Sequence, residues 1–85
     1  MTRKNLEKKI LQAVRFYMPL DGRESVAIES TISGDLCFDS MDKASLITVL
    51  EKEFSFVEKD AVWQDFLYGR DPSIRELCDF VEKRL

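Results

Sequence analysis

Residues 40–54 read SMDKASLITVLEKEF, and this stretch decides the fold because it carries the clearest helical pattern in the chain. Apolar side chains recur at spacings of three and four residues, which is typical of one face of an amphipathic helix. The predicted apolar face comprises Met41, Ala44, Leu46 or Ile47, Leu50 and Phe54. The predicted solvent face carries Asp42, Lys43, Ser45, Glu51 and Lys52. Asp39 directly precedes the helix, and its carboxylate suits the free amides and positive end of a helix N-terminus.

The same spacing predicts helices on both sides of this segment. Residues 3–18 carry an apolar stripe made of Leu6, Ile10, Leu11, Val14, Tyr17 and Met18. Pro19 cannot continue that helix, and Asp21-Gly22 marks a turn just beyond it. Residues 73–84 form the last helix, where Ser73 and Glu76 fit a capping box. Its predicted buried face comprises Ile74, Leu77, Cys78 and Val81, with Leu85 extending it.

Two segments between these helices are less regular. Residues 58–67 predict a short helix that ends at Gly69 and holds the apolar residues Ala61, Val62, Trp63, Phe66 and Leu67. Residues 19–39 show no period, but spaced apolar side chains predict a long loop pinned to the core, by Leu20, Val26, Ile28, Ile32 and Leu36. Long ordered loops of this kind tend to be functional. The predicted fold is therefore an all-α four-helix bundle, with three longer helices, one short helix and a long loop between helices 1 and 2.

Composition narrows the classes of function. The 85 residues fit a single domain, residues 1–85, and include no histidine, so the commonest general base is missing and an enzyme is not expected. Cys37 and Cys78 lack the spacing of a metal site, and we expect two free thiols in a reducing compartment. The sequence has neither an apolar run long enough to span a bilayer nor an apolar signal core. These features predict a cytoplasmic protein.

Charge is unevenly distributed along the chain, whose net charge is −3. Basic residues dominate positions 1–18, and acidic residues dominate positions 19–45. The acidic segment predicts partners with basic docking surfaces. A small helical binder of nucleic acid is an alternative, acting through Lys8, Lys9 and Arg15, and it predicts salt-sensitive binding. The acidity of the chain as a whole argues against that alternative, so no nucleic acid partner is expected.

Asp39-Ser40-Met41 is the segment that points to a function. An isolated Asp-Ser pair at a helix start is most often only a cap and the residue after it. Here it occurs together with the first amphipathic helix, the loop carrying Ile32 and Leu36, and two further motifs, Leu50-Glu51-Lys52-Glu53-Phe54 and Ser73-Ile74-Arg75-Glu76-Leu77. From about Leu6 to Val81, this combination resembles the acyl carrier proteins.

The resemblance implies that Ser40 is the attachment point of a 4'-phosphopantetheine arm, whose terminal thiol carries an acyl or aminoacyl group as a thioester. It implies a monomer that does no chemistry itself. It also implies a phosphopantetheinyl transferase and enzymes of fatty-acid, polyketide or lipid synthesis as partners. The implied recognition residues are Asp39, Met41, Asp42, Glu51 and Glu53. Ile47, Val49 and Leu50 are either the lining of an acyl pocket or ordinary core residues.

Three departures from the family pattern qualify this expectation. The family usually has a glycine in the approach to the serine, where this chain has Cys37-Phe38, so the backbone takes either a different local path or a strained one. Met41 replaces the usual leucine, and basic or neutral residues dilute the acidity of the second helix. The chain is also similar to D-alanyl carrier proteins, in Asp-Ser-Met and in the tryptophan at Trp63. We therefore expect a specialised carrier, with an unmodified carrier-like binding partner as the alternative.

Overall fold

The computed structural model describes residues 2–18 and 26–85. Within these residues the chain forms four helices, one of them short, which confirms the all-α prediction. They are α1 (Arg3–Phe16), α2 (Ser40–Phe54), α3 (Asp60–Trp63, continued by a π-helical segment, Gln64–Tyr68) and α4 (Ile74–Glu82). The turn predicted at Pro19 and Asp21-Gly22, and the apolar anchor Leu20, lie outside the described residues.

Helix α1 packs its apolar stripe into the core as the spacing predicts. Leu6, Ile10 and Val14 are completely or almost completely buried, and Leu11, Tyr17 and Met18 pack at the edge of the core. Thr2 caps the helix, because its Oγ1 accepts a hydrogen bond from the Asn5 amide at 3.2 Å. The helix ends two residues earlier than predicted, at Phe16.

Helix α2 has the predicted bounds, but its buried face is not the predicted one. Leu46, Leu50 and Phe54 are buried as expected. Met41 and Ala44 are exposed, and the first buried residue of the helix is Lys43, which the sequence assigned to the solvent face. The stripe is therefore displaced at its first turn, because the π-helical segment places Tyr68 against Lys43. Lysine tolerates this position because its aliphatic stem packs against apolar surface.

The short helix begins at Asp60 and continues through the π-helical turn to Tyr68, so the predicted segment 58–67 was displaced by one or two residues. Gly69 follows its end, as predicted. Trp63 is only 1% exposed, and its ring packs against the rings of Phe56 and Phe80. The short helix therefore contributes Trp63 to the core.

Helix α4 begins with the predicted capping box. The Ser73 hydroxyl accepts from the Glu76 amide, and the Glu76 carboxylate accepts from the Ser73 amide, both at 3.1 Å. Four of the five predicted face residues are fully buried. Leu85 is exposed, so its assignment to that face was wrong: the helix ends at Glu82, and residues beyond its end do not continue its face.

The loop before α2 is fastened to the start of α4 by main-chain hydrogen bonds. The amide of Ile32 donates to Pro72 O at 3.0 Å, and the amide of Ile74 donates to Ser30 O at 2.9 Å. The Asp71 carboxylate accepts from the amides of Ser33 and Gly34. Ile32 is fully buried, Val26 is almost so, and Ile28 and Leu36 pack at the edge of the core. The pinned loop is therefore confirmed over its described part.

Among the described residues, no helix is both long and apolar enough to cross a membrane.

A serine corner at the start of helix α2

Ser40 is the first residue of α2, and it is exposed. Two hydrogen bonds cap the helix beside it: Asp39 Oδ1 accepts from the Asp42 amide at 2.8 Å, and Asp42 Oδ2 accepts from the Asp39 amide at 3.2 Å. The predicted cap is therefore confirmed, and Asp42 completes it reciprocally. Both carboxylates lie next to Ser40, and both take part in the local structure.

The segment before Ser40 is held in a defined conformation. Cys37 has φ 58°, in the left-handed region that glycine adopts most easily. Of the two alternatives for the missing glycine, the structure shows the strained one. Hydrogen bonds from the amides of Cys37 and Phe38, to Ser33 O and Ile32 O respectively, close this turn, and the Phe38 side chain is buried. Ser40 thus follows an anchored corner of the backbone.

Met41, the second residue of α2, extends into solvent. Its side chain is 79% exposed. Together, the exposed residues Asp39, Ser40 and Met41 form the serine corner. The three residues are consecutive in the sequence, and the structure leaves each of them exposed.

Two residues that sequence analysis did not assign to the site lie against the serine corner. The Tyr68 hydroxyl donates to the carbonyl oxygen of Ser40 at 3.1 Å, and this bond does not engage the Ser40 side chain. The Lys43 ammonium lies 5.2 Å from the centre of the Tyr68 ring. The position of Lys43 close to Ser40 could be predicted from the sequence, because residues three apart share a helix face. Tyr68 is 28 residues from Ser40, and no local pattern indicates their contact.

The other two carboxylates expected in partner recognition lie far from Ser40. Glu51 is eleven positions along α2, which corresponds to about 16 Å. Its Oε2 accepts hydrogen bonds from Trp63 Nε1 and from the Glu58 amide, both at 3.0 Å. Glu53 is exposed, and its carboxylate lies 3.6 Å from Lys9 Nζ. Glu51 is thus engaged in internal contacts, whereas Glu53 remains at the surface.

The three residues considered for an acyl pocket occupy different environments. Leu50 is fully buried in the core, and Ile47 is partly buried against it. Val49 lines an open cavity of about 350 Å³ between α1 and α2, together with Lys9, Gln12, Ala13, Phe16 and Glu53. Ile47 and Leu50 do not line this cavity, so Val49 is the one residue of the three that faces it.

Outside the serine corner, contacts within the fold shift the pKa values of Cys78 and Glu58. Burial raises the pKa of the Cys78 thiol to about 11, whereas Cys37 is exposed; both are free thiols. The Lys59 amide and the Arg84 guanidinium lower the pKa of Glu58. Over residues 2–18 and 26–85, the acidic and cysteine side chains form no cluster of three or more that could hold a metal ion.

Comparison of the chain with models of known protein families finds no match, and comparison with curated proteins finds no similar sequence.

Proposed function

We propose that the chain is an acyl carrier protein, with Ser40 as the attachment point of a 4'-phosphopantetheine arm. The observation that carries this proposal is an exposed serine at the first position of helix α2. Asp39 and Asp42 close the N-terminus of this helix with a reciprocal pair of hydrogen bonds. An arm that delivers its cargo to other proteins needs an accessible hydroxyl on a backbone that stays in place. The free amides and the positive end of the helix also suit a phosphodiester.

The cargo in this proposal is an acyl or aminoacyl group, held as a thioester on the thiol of the arm. A phosphopantetheinyl transferase forms the bond between Ser40 Oγ and phosphorus as the phosphoanhydride of coenzyme A breaks. Adenosine 3',5'-bisphosphate is the leaving group, and the hydroxyl proton passes to the transferase or to solvent. Enzymes of fatty-acid, polyketide or lipid synthesis then load and use the cargo. The chain itself is not an enzyme in this scheme; it works in the cytoplasm as a monomer.

Partner enzymes would recognise the surface around the serine corner. Asp39 and Met41 are exposed there, and Glu53 presents a further carboxylate on the same helix. Basic docking surfaces on the partners suit these acidic groups. Because Asp42 and Glu51 are partly buried and hydrogen-bonded within the chain, we assign them a smaller share of this recognition. This fits a specialised carrier with few partners.

The exposed Met41 favours a second candidate, an unmodified carrier-like protein that binds a partner through the serine corner. An apolar side chain that is 79% exposed beside two carboxylates suits a non-covalent contact as well as a transferase. The two candidates differ in whether Ser40 Oγ ever bonds to phosphorus. A single covalent test therefore separates them.

The test is incubation with coenzyme A and a broad-specificity phosphopantetheinyl transferase, followed by measurement of the intact mass. We expect wild type to gain one arm, Ser40→Ala to gain none, and Ser45→Ala, a control on the same helix, to behave like wild type. The proposal fails if wild type stays unmodified by a transferase that modifies an authentic carrier protein in the same experiment. It also fails if Ser40→Ala gains the same mass.

A further inference from the structure

Lys43 is the only charged residue among those described whose side chain is counted as buried, with 8% of its surface exposed. The aliphatic stem accounts for this burial, since a lysine can pack its stem against apolar groups and keep its ammonium at the surface. Within the described ranges, no carboxylate forms an ion pair with Lys43, whereas at least one does so with each of Arg3, Lys9, Arg70, Arg75 and Arg84. Lys43 instead faces the Tyr68 ring.

Tyr68 connects this lysine to the serine. Its ring lies under the Lys43 ammonium, and its hydroxyl donates to the carbonyl oxygen of Ser40. Ser40 and Lys43 are also three residues apart on α2, where side chains are neighbours, with Cβ atoms about 5–6 Å apart. Lys43 and Ser40 are therefore neighbours on the first turn of α2, and both contact Tyr68.

An anion attached at Ser40 would enter a mixed electrostatic environment. The amides of the first turn and the helix dipole favour it. The carboxylates of Asp39 and Asp42, which lie on either side of Ser40 and Met41, oppose it. A phosphodiester there adds another negative charge, and Lys43 is the nearest cation in the sequence of α2. Lys43, which has no carboxylate partner, is therefore close to the position where a new anion would need a counter-ion.

We propose that the Lys43 ammonium binds the phosphate group of an arm attached to Ser40. Tyr68 positions the ammonium and the Ser40 main chain, and this inference rests on the proposed function. Lys43 and Tyr68 together direct the arm, where it leaves Ser40, toward the surface of the π-helical segment. Lys43 thus changes role on modification, from a cation over an aromatic ring to the counter-ion of the phosphodiester.

The test compares the stability of each variant with and without the arm, by urea unfolding. Lys43→Met keeps most of the stem and removes the charge. Lys52→Met is the matched control, because Lys52 is an exposed lysine about 18 Å along the helix from Ser40. The arm's effect on the folding equilibrium constant should be about fivefold less favourable in Lys43→Met than in wild type, or about 1 kcal/mol. Lys52→Met should match wild type, and Lys43→Arg should retain most of the effect.

Phosphorus nuclear magnetic resonance reports on the contacts of the phosphate itself, which a change in core packing alone would not alter. The phosphorus resonance of the modified protein should shift in Lys43→Met and in Tyr68→Phe, but not in Lys52→Met. If Lys43→Met does not fold, the side-chain resonance of Lys43 in wild type should change on modification, while that of Lys52 stays constant. Absence of an arm on wild type overturns the proposed function as well. An attached arm with unchanged phosphorus and lysine resonances overturns only the role of Lys43.

Discussion

The two ends of α2 are flanked by similar backbone and are used in opposite ways. Cys37, shortly before the helix, and Ser55, directly after it, adopt left-handed conformations with φ 58° and 55°. At the N-terminal end, the contact from Tyr68 is made to a main-chain oxygen, and the Ser40 side chain stays exposed. At the C-terminal end, the Glu51 side chain accepts the internal hydrogen bonds. The N-terminal end therefore leaves a side chain accessible, whereas the C-terminal end uses one to stabilise the fold.

The largest expected effect comes from replacing Trp63, the α3 residue whose indole donates to Glu51 at the C-terminal end of α2. Trp63→Ala deletes a side chain that is 1% exposed and leaves a cavity between two neighbouring rings. We expect a loss of about 3–5 kcal/mol in the free energy of unfolding, measured by urea denaturation.

Trp63→Phe is the matched control for that experiment. It keeps an aromatic ring and removes the indole donor, so it should lose clearly less stability than Trp63→Ala. Equal losses in the two variants would mean that the hydrogen bond to Glu51, and not the packing of the ring, dominates this end of the helix.

Glu51 and Glu53 offer a smaller test within one turn of the helix. Glu51→Ala leaves two donors near the core without their acceptor, and we expect it to cost about 1–3 kcal/mol in the free energy of unfolding. Glu53→Ala removes an exposed ion pair and should change this free energy by less than about 1 kcal/mol. Urea denaturation measures both, and similar losses would contradict the structural role assigned to Glu51.

The smallest expected effect concerns the backbone before Ser40. Cys37→Gly places glycine at φ 58° and removes a steric cost, against a loss of entropy on folding. We expect a gain of about 0.5–1 kcal/mol in the free energy of unfolding, whereas Cys37→Ala, which keeps the Cβ, should show no such gain. If both variants matched wild type in thermal and urea unfolding, the left-handed turn would not be a source of strain.

Local signals in the sequence were sufficient for much of the fold. The spacing of Leu46, Leu50 and Phe54 located α2, and Asp39 and Ser73 located two helix starts, because a cap acts only on the turn that follows it. The accessible serine corner was also predictable, since its three residues are consecutive. The Cys37 position was recognised as unusual, although its conformation was not decided by sequence.

Contacts between distant segments decided the rest. The sequence by itself determined that the chain forms an all-α fold with a capped serine at the start of α2, because periodicity and capping depend on neighbours within a turn. Only the tertiary structure decided that Lys43 is buried, that Glu51 binds Trp63 and that Tyr68 reaches Ser40. Those outcomes depend on which helix packs against which face, and a single helix's pattern carries no record of the residues that its neighbours bring to it.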